Sequence, residues 1–157
     1  MAPGVELREP DEADWPAILA LANRSVQAVL GAGRQDEWLR NRQRPCPVRR
    51  HVVAVEGADV VGYAALEWQP SYAEKSYRLF VVTAPEQLAR LGPTLYRRLE
   101  GWLAELGAVN AWLVEYADDE PLFAFVAELG FREARRFRLG SGVECVVVGK
   151  RLAGGPA

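Results

Sequence analysis

Apolar and polar positions alternate along this chain with two different periods, and the period changes mark the elements. Val5 to Arg8 reads as a short first strand. In "DEADWPAILALANRSVQAVL", Trp15, Ile18, Leu19 and Ala22 fall on one helical stripe, behind acidic residues that suit a helix N-terminus. "RQDEWLRNRQR" is a second, more polar helix candidate, ended by "PCP". "HVVAVEGADVVGYAALEW" reads as a hairpin around a Glu-Gly-Ala-Asp turn, and "KSYRLFVV" as a further strand. Leu95, Leu99, Trp102, Leu103 and Leu106 then share one helix face, with Pro93 in the first turn and Gly107 as the stop. "VNAWLVEY" is a strand. "DDEPLFAFVAELG" is a helix with an aspartate cap, Leu122, Phe125, Val126 and Leu129 on its apolar side, and Gly130 at its end. "FREARRFRL" and "VECVVVGKRL" close the chain as two strands, with Arg132, Arg136 and Arg138 on an exposed face.

This order, β-α-α-β-β-β-α-β-α-β-β, has no repeat and no linker. It predicts an α/β (α+β) fold: one domain over residues 1–152, a mixed sheet with helices on both faces, and a disordered tail at 153–157.

Composition narrows the function. The chain has 157 residues, 19 basic and 21 acidic, for a formal charge of −2, which argues against a cationic nucleic-acid binder. No apolar run approaches a membrane span, and the acidic N-terminus does not read as a signal peptide, so a cytoplasmic protein is expected. Cys46 and Cys145 are expected as free thiols, and His51 is the only histidine, so no metal site is predicted. "RNRQRPCPVRR" concentrates five arginines, read first as a solvated helix and loop.

Three stretches together resemble the GCN5-related N-acetyltransferase superfamily, over nearly the whole chain. They are "VVAVEGADVVGYAAL", "LFVVTAPEQLARLGPTLYRRLEGWLAELGA" and "AWLVEYADDEPLFAFVAELGF". The resemblance implies a single-domain, mostly antiparallel sheet of about seven strands flanked by about four helices. It implies acetyl-CoA (CoA) as co-substrate, and transfer of an acetyl group to a primary amine of a small molecule or peptide by direct attack on the thioester. Gln87, Leu88, Ala89, Arg90, Leu91 and Gly92 match the family's pyrophosphate loop, followed by Pro93 and Thr94 at the helix entrance. The loop chemistry is sound, because a helix N-terminus presents unpaired N–H groups to an anion. Val81 and Val82 would offer backbone N–H groups to the thioester and pantetheine arm. Asp119 and Phe123 would flank that arm.

Two positions depart from the family pattern. Arg90 replaces a loop glycine, at a cost of roughly 1–2 kcal/mol if a left-handed conformation is required there. Val126 stands where a tyrosine commonly serves as acid for the thiolate; Tyr72, Tyr77 and Tyr116 are substitutes among which the sequence does not choose. An amine must lose a proton before attack, so strand-end carboxylates are the candidate bases: Glu67 first, then Glu115, each also readable as a solvent-facing residue. A catalytically reduced CoA-binding or protein-interaction module is the alternative. Trp38, Trp68 and the arginine run, if they converge, point to an acidic or aromatic acceptor. A homodimer through the closing strands stays open.

Overall fold

The computed structural model describes residues 4–30, 44–117, 119–140, 142 and 144–152. The second helix candidate except Arg44, Trp38, and the tail at 153–157 lie outside these residues. Seven strands form one sheet: β1 (Val5–Arg8), β2 (Val48–Glu56), β3 (Asp59–Trp68), β4 (Ser76–Thr83), β5 (Asn110–Tyr116), β6 (Arg132–Arg138) and β7 (Glu144–Arg151). Their order is β1-β2-β3-β4-β5-β7-β6, antiparallel throughout except between β4 and β5. Among the described residues there are three α-helices: α1 (Trp15–Leu30), α2 (Leu88–Glu105) and α3 (Glu120–Glu128).

The central strands are apolar at consecutive positions because both their faces are covered. Val52, Ala54, Ala64, Leu66, Leu79 and Leu113 pack beneath Leu91, Leu95 and Leu99 of α2 and Leu122 and Val126 of α3. On the opposite face Val53, Tyr63 and Ala65 meet Trp15 and Ile18 of α1. Burying a side chain of this size contributes about 1.5–3 kcal/mol, so these two clusters hold the helices to the sheet. Arg8 at the end of β1 grips Asp14 with two hydrogen bonds of 2.6 and 2.9 Å, which ties the entry of α1 to the sheet edge.

α2 begins earlier than the position of Pro93 suggests. The helix runs from Leu88, Pro93 lies inside it, and Pro85–Gln87 forms a 3-10 turn ahead of it. Two features permit this. Gly92 has no Cβ to collide with the proline ring, which relieves the usual bias of a pre-proline residue against helix. Leu88 and Leu91 also continue the buried stripe of Leu95 and Leu99 toward the N-terminus. Arg90 is consequently helical: Lys75 is the only non-glycine residue with positive φ among the described residues, so the glycine-to-arginine departure carries no left-handed strain. The stops match expectation, with Gly107 at φ 63° and Gly130 at φ 97° ending α2 and α3.

β6 departs from simple alternation. Its pairing with β7 shifts between Glu133 and Arg135, so Ala134 is an extra residue and the parity after it reverses. Arg136 and Arg138 stay exposed as expected, while Arg135 and Phe137 turn toward the interior cleft described below.

Gly92 has a packing reason of its own. A Cβ there would meet Phe125 Cζ at 2.9 Å and Cε1 at 3.0 Å, so the glycine lets α3 lie close on α2. Gly92→Ala should lower stability by about 1 kcal/mol, because overpacking outweighs the helix propensity gained. Combining it with Phe125→Leu should recover most of that loss. Urea unfolding of the two single variants and the double reads the coupling; strictly additive effects would contradict the contact.

Candidate functional site

The site begins where the two parallel strands part. β4 and β5 pair at Ser76↔Asn110, Tyr77↔Ala111 and Arg78↔Trp112, and there the pairing ends. β4 nevertheless continues to Thr83 and β5 to Tyr116. Beyond Arg78 the two strands diverge, and β4 turns the backbone groups of every second residue toward the gap. On its other edge β4 pairs with β3 up to Thr83 without a register shift, so the opening comes from separation of β4 from β5 and not from a bulge in β4.

A cavity of 490 Å³ occupies this gap and passes through the sheet. Toward α2 and α3 it is lined by Val81, Leu88, Pro121 and Leu122; toward α1 by Phe80, Val82, Trp112 and Phe137. Thr83, Pro85 and Leu88 carry the lining up to the N-terminus of α2, so the gap and the helix entrance form one continuous groove.

Of the residues singled out in the sequence, Val81, Val82, Leu88, Glu115 and Asp119 line the cavity. Gln87 is the residue before α2, and Ala89 and Arg90 are in its first turn, where N–H groups lack intrahelical partners. Arg90 points to a carboxylate: it donates to both oxygens of Glu56, at 2.8 and 3.1 Å, and to Gln87 Oε1 at 2.9 Å. The pair is solvent-exposed, which limits it to at most about 1 kcal/mol. Leu91 and Gly92 are buried in the helix packing, and Pro93 and Thr94 follow along α2, away from the cavity lining. Phe123 packs on the core beneath α3 and does not line the cavity. Val126 is a core residue, 3% exposed.

The two candidate carboxylates have opposite surroundings. Glu67 is 1% exposed and is held by Arg49, whose Nη2 and Nε lie 3.1 and 3.4 Å from its Oε2. The Tyr72 hydroxyl donates to its Oε1 at 3.4 Å. Glu67 does not line the cavity, whereas Tyr72 does. Glu115 is half-buried in the cavity wall itself. Its pKa is pushed up to about 8, first by burial and then by the Asp119 carboxylate, with Arg78 opposing the shift. Asp119 caps α3, accepting from the Leu122 N–H at 3.4 Å. Of the tyrosines, Tyr72 and Tyr116 line the cavity, and Tyr77 is buried in the core.

Sequence reasoning missed Arg78, Trp112, Arg135 and Phe137, all on the cavity wall. Arg78 had a legible signal, being the one charged residue within the strand "SYRLFVV". Arg135 had none, because its aim depends on the bulge at Ala134. Trp68, expected in an acceptor wall only if it converges with Trp38 and the arginine run, donates its ring N–H to the Ala73 carbonyl at 3.0 Å and braces a turn. Cys46 and Cys145 are both free. Among the described residues no group of three or more His, Cys, Asp or Glu side chains is arranged to hold a metal, and no helix is long and apolar enough to cross a membrane.

Glu67 is a buried ion-pair member, so removing its charge takes away the carboxylate that compensates the Arg49 guanidinium. Glu67→Gln should destabilise the fold by about 3 kcal/mol. A Glu67→Leu, Arg49→Met double variant should recover most of that. Thermal melts of the three proteins check this; a Glu67→Gln protein as stable as the parent would contradict a structural pair.

No curated protein matches the chain. Among solved structures, the ribosomal-protein-alanine N-acetyltransferase of Brucella melitensis superimposes with a TM-score of 0.72 at 24% identity, over 94% of this chain and 99% of that one. The yncA protein of Salmonella typhimurium, solved with acetyl-CoA, gives 0.75 at 21% identity over 98% and 96%. The PaiA N-acetyltransferase of Thermoplasma acidophilum, in complex with coenzyme A, gives 0.68 at 14% over 94% and 99%. At these identities the structures share the fold. The sequence model of the acetyltransferase (GNAT) family matches residues 15–131, and the chain, with its sheet parted between β4 and β5, belongs to that family.

Proposed function

We propose that the protein is an acetyl-CoA-dependent N-acetyltransferase that transfers the acetyl group directly to a primary amine of a small molecule or peptide. The observation that carries this reading is the cavity in the β4–β5 gap with the Glu115 carboxyl group in its wall. A slot between two separated strands fits an extended thioester arm, since the unpaired edge of β4 can hydrogen-bond it as a third strand would. The groove ends at the first turn of α2, whose N–H groups and dipole suit the pyrophosphate. Arg90 is within that turn, and its exposed pair with Glu56 is weak enough to yield to a phosphate. Family membership and the fold shared with structures solved with acetyl-CoA or coenzyme A support the same co-substrate.

The chemistry needs one proton removed and one bond exchanged. An alkyl amine is protonated near neutral pH, with a pKa of about 10. Glu115, when ionised, accepts that proton, and its pKa of about 8 brings it near the amine's own value. The freed nitrogen lone pair attacks the acetyl carbonyl carbon, the C–N bond forms, and the C–S bond breaks with its electrons on sulfur. A thiol pKa of about 8.5 lets the thiolate leave without obligatory protonation, so the apolar Val126 does not preclude turnover. Tyr116 and Tyr72 are the hydroxyl groups at the cavity that can return a proton. Glu67, paired with Arg49, positions Tyr72 and does not itself act as the base.

Thermal unfolding with CoA or acetyl-CoA tests the reading. Ligand at about 100 times its dissociation constant stabilises by about 2.7 kcal/mol, a shift of several degrees for a domain this size. No shift at millimolar CoA would overturn the assignment, and a shift without turnover on any amine would favour the catalytically reduced module.

Glu115→Gln should keep the CoA shift while lowering kcat/KM by about 10²-fold. It should also abolish the rise in rate as pH passes through about 8. The stability effect has the opposite sign. The unfolded carboxyl group ionises in the ordinary range near 4.5 and the folded one only near 8, so the wild type loses stability as pH rises across that window. The Gln variant should escape the loss and be the more stable protein at pH 8. A pH series of melts and initial rates reads both effects.

A further inference from the structure

A row of three charged residues crosses the sheet on its α1 side. The register places Arg49 opposite Glu67 and Glu67 opposite Arg78. One carboxylate therefore stands between two guanidinium groups, and it is bonded to Arg49. Arg78 has no carboxylate within ion-pair distance among the described residues, and its Nε is buried without a hydrogen-bond partner. The guanidinium lies over the Phe80 ring at 4.6 Å and the Trp112 ring at 5.6 Å, and it lines the cavity at the point where β4 and β5 part.

A buried donor without a partner is costly, and a cation held between two rings is already oriented and partly stripped of water. Such a group is preorganised for an anion with two acceptor oxygens, which arginine binds with parallel hydrogen bonds. Glu115 lies on the same cavity, near enough for the Arg78 charge to act on it. The cavity, which passes through the sheet, thus presents an anion-binding fork on its α1 side and, on the neighbouring strand, a proton acceptor for an amine.

We propose that the acceptor is an amine that also carries a carboxylate, an amino acid or a close relative, and that Arg78 binds the carboxylate while Phe80 and Trp112 flank its apolar part. This rests on the acetyl-transfer reading above. It selects against polycationic acceptors, which Arg78 and Arg135 would repel from the same cavity.

The test uses matched pairs: small, branched and aromatic amino acids, each beside its carboxamide and its decarboxylated amine. Acetylation is followed by CoA release. Binding of the corresponding N-acetyl products to the CoA-loaded protein is measured by calorimetry. The wild type should favour at least one acid over both neutral counterparts by 10-fold or more, in kcat/KM and in product affinity. Arg78→Gln should abolish that preference while retaining the CoA-induced thermal shift, and Arg78→Lys should restore part of it. A wild type that binds CoA yet favours no acid of the panel, by rate or by affinity, overturns this proposal and leaves acetyl transfer standing. An Arg78→Gln protein that keeps the preference overturns it equally. Failure to bind CoA overturns the acetyl-transfer reading first, and this one with it.

Discussion

Three residue pairs of parallel β-structure organise this molecule. Had β4 and β5 stayed paired along their length, the sheet would be continuous and there would be no cleft. Ending the pairing at Arg78↔Trp112 leaves one edge of β4 without a strand partner, and unpaired backbone groups away from water demand hydrogen bonds. The two halves of the sheet are stable apart because each is completed on its far side, β4 by β3 and β5 by β7. Leu88 of α2 and Leu122 of α3 then border the gap without filling it. The cleft is therefore a property of the whole sheet, and no single loop creates it.

Electrostatics divide the acidic groups by what faces them. Glu67 and Glu115 both sit late in a strand and are both withdrawn from bulk water, yet they differ in kind. The guanidinium of Arg49 compensates the Glu67 carboxylate within the fold. Glu115 faces burial and a neighbouring carboxylate, which together push its pKa up to about 8. The arginines divide in the same way: Arg49 is committed to a buried carboxylate, whereas Arg78 is oriented by aromatic rings. A polar group committed to a partner holds the fold together, and one without a partner is available to a ligand.

Much of the architecture was legible because it is local. The stripe of Leu95, Leu99 and Leu103, the aspartate cap and terminal glycine of α3, and the unbroken apolar run of β2 and β3 follow from helix period, capping and two-sided burial. These act within one element, so one stretch of sequence suffices. The early start of α2 was also present, in Leu88, Leu91 and the glycine before Pro93, but Pro93 outweighed it; the close approach of Phe125 that also requires that glycine is plain only in the tertiary structure.

The sequence by itself determined the elements, their order, the family resemblance and a short list of carboxylates and loop residues. Tertiary structure alone decided which of them meet. Glu67 and Glu115 are indistinguishable as strand-end glutamates until Arg49, on a strand 18 residues earlier, is seen beside the first and Asp119 beside the second. Arg135 faces the cleft only because the bulge at Ala134 reverses its side of the strand. Arg78 lines the cavity only because β5 leaves β4 beyond it. Each of these depends on contacts between strands distant in sequence. Burial and charge pairing arise from such contacts, and no local pattern encodes them.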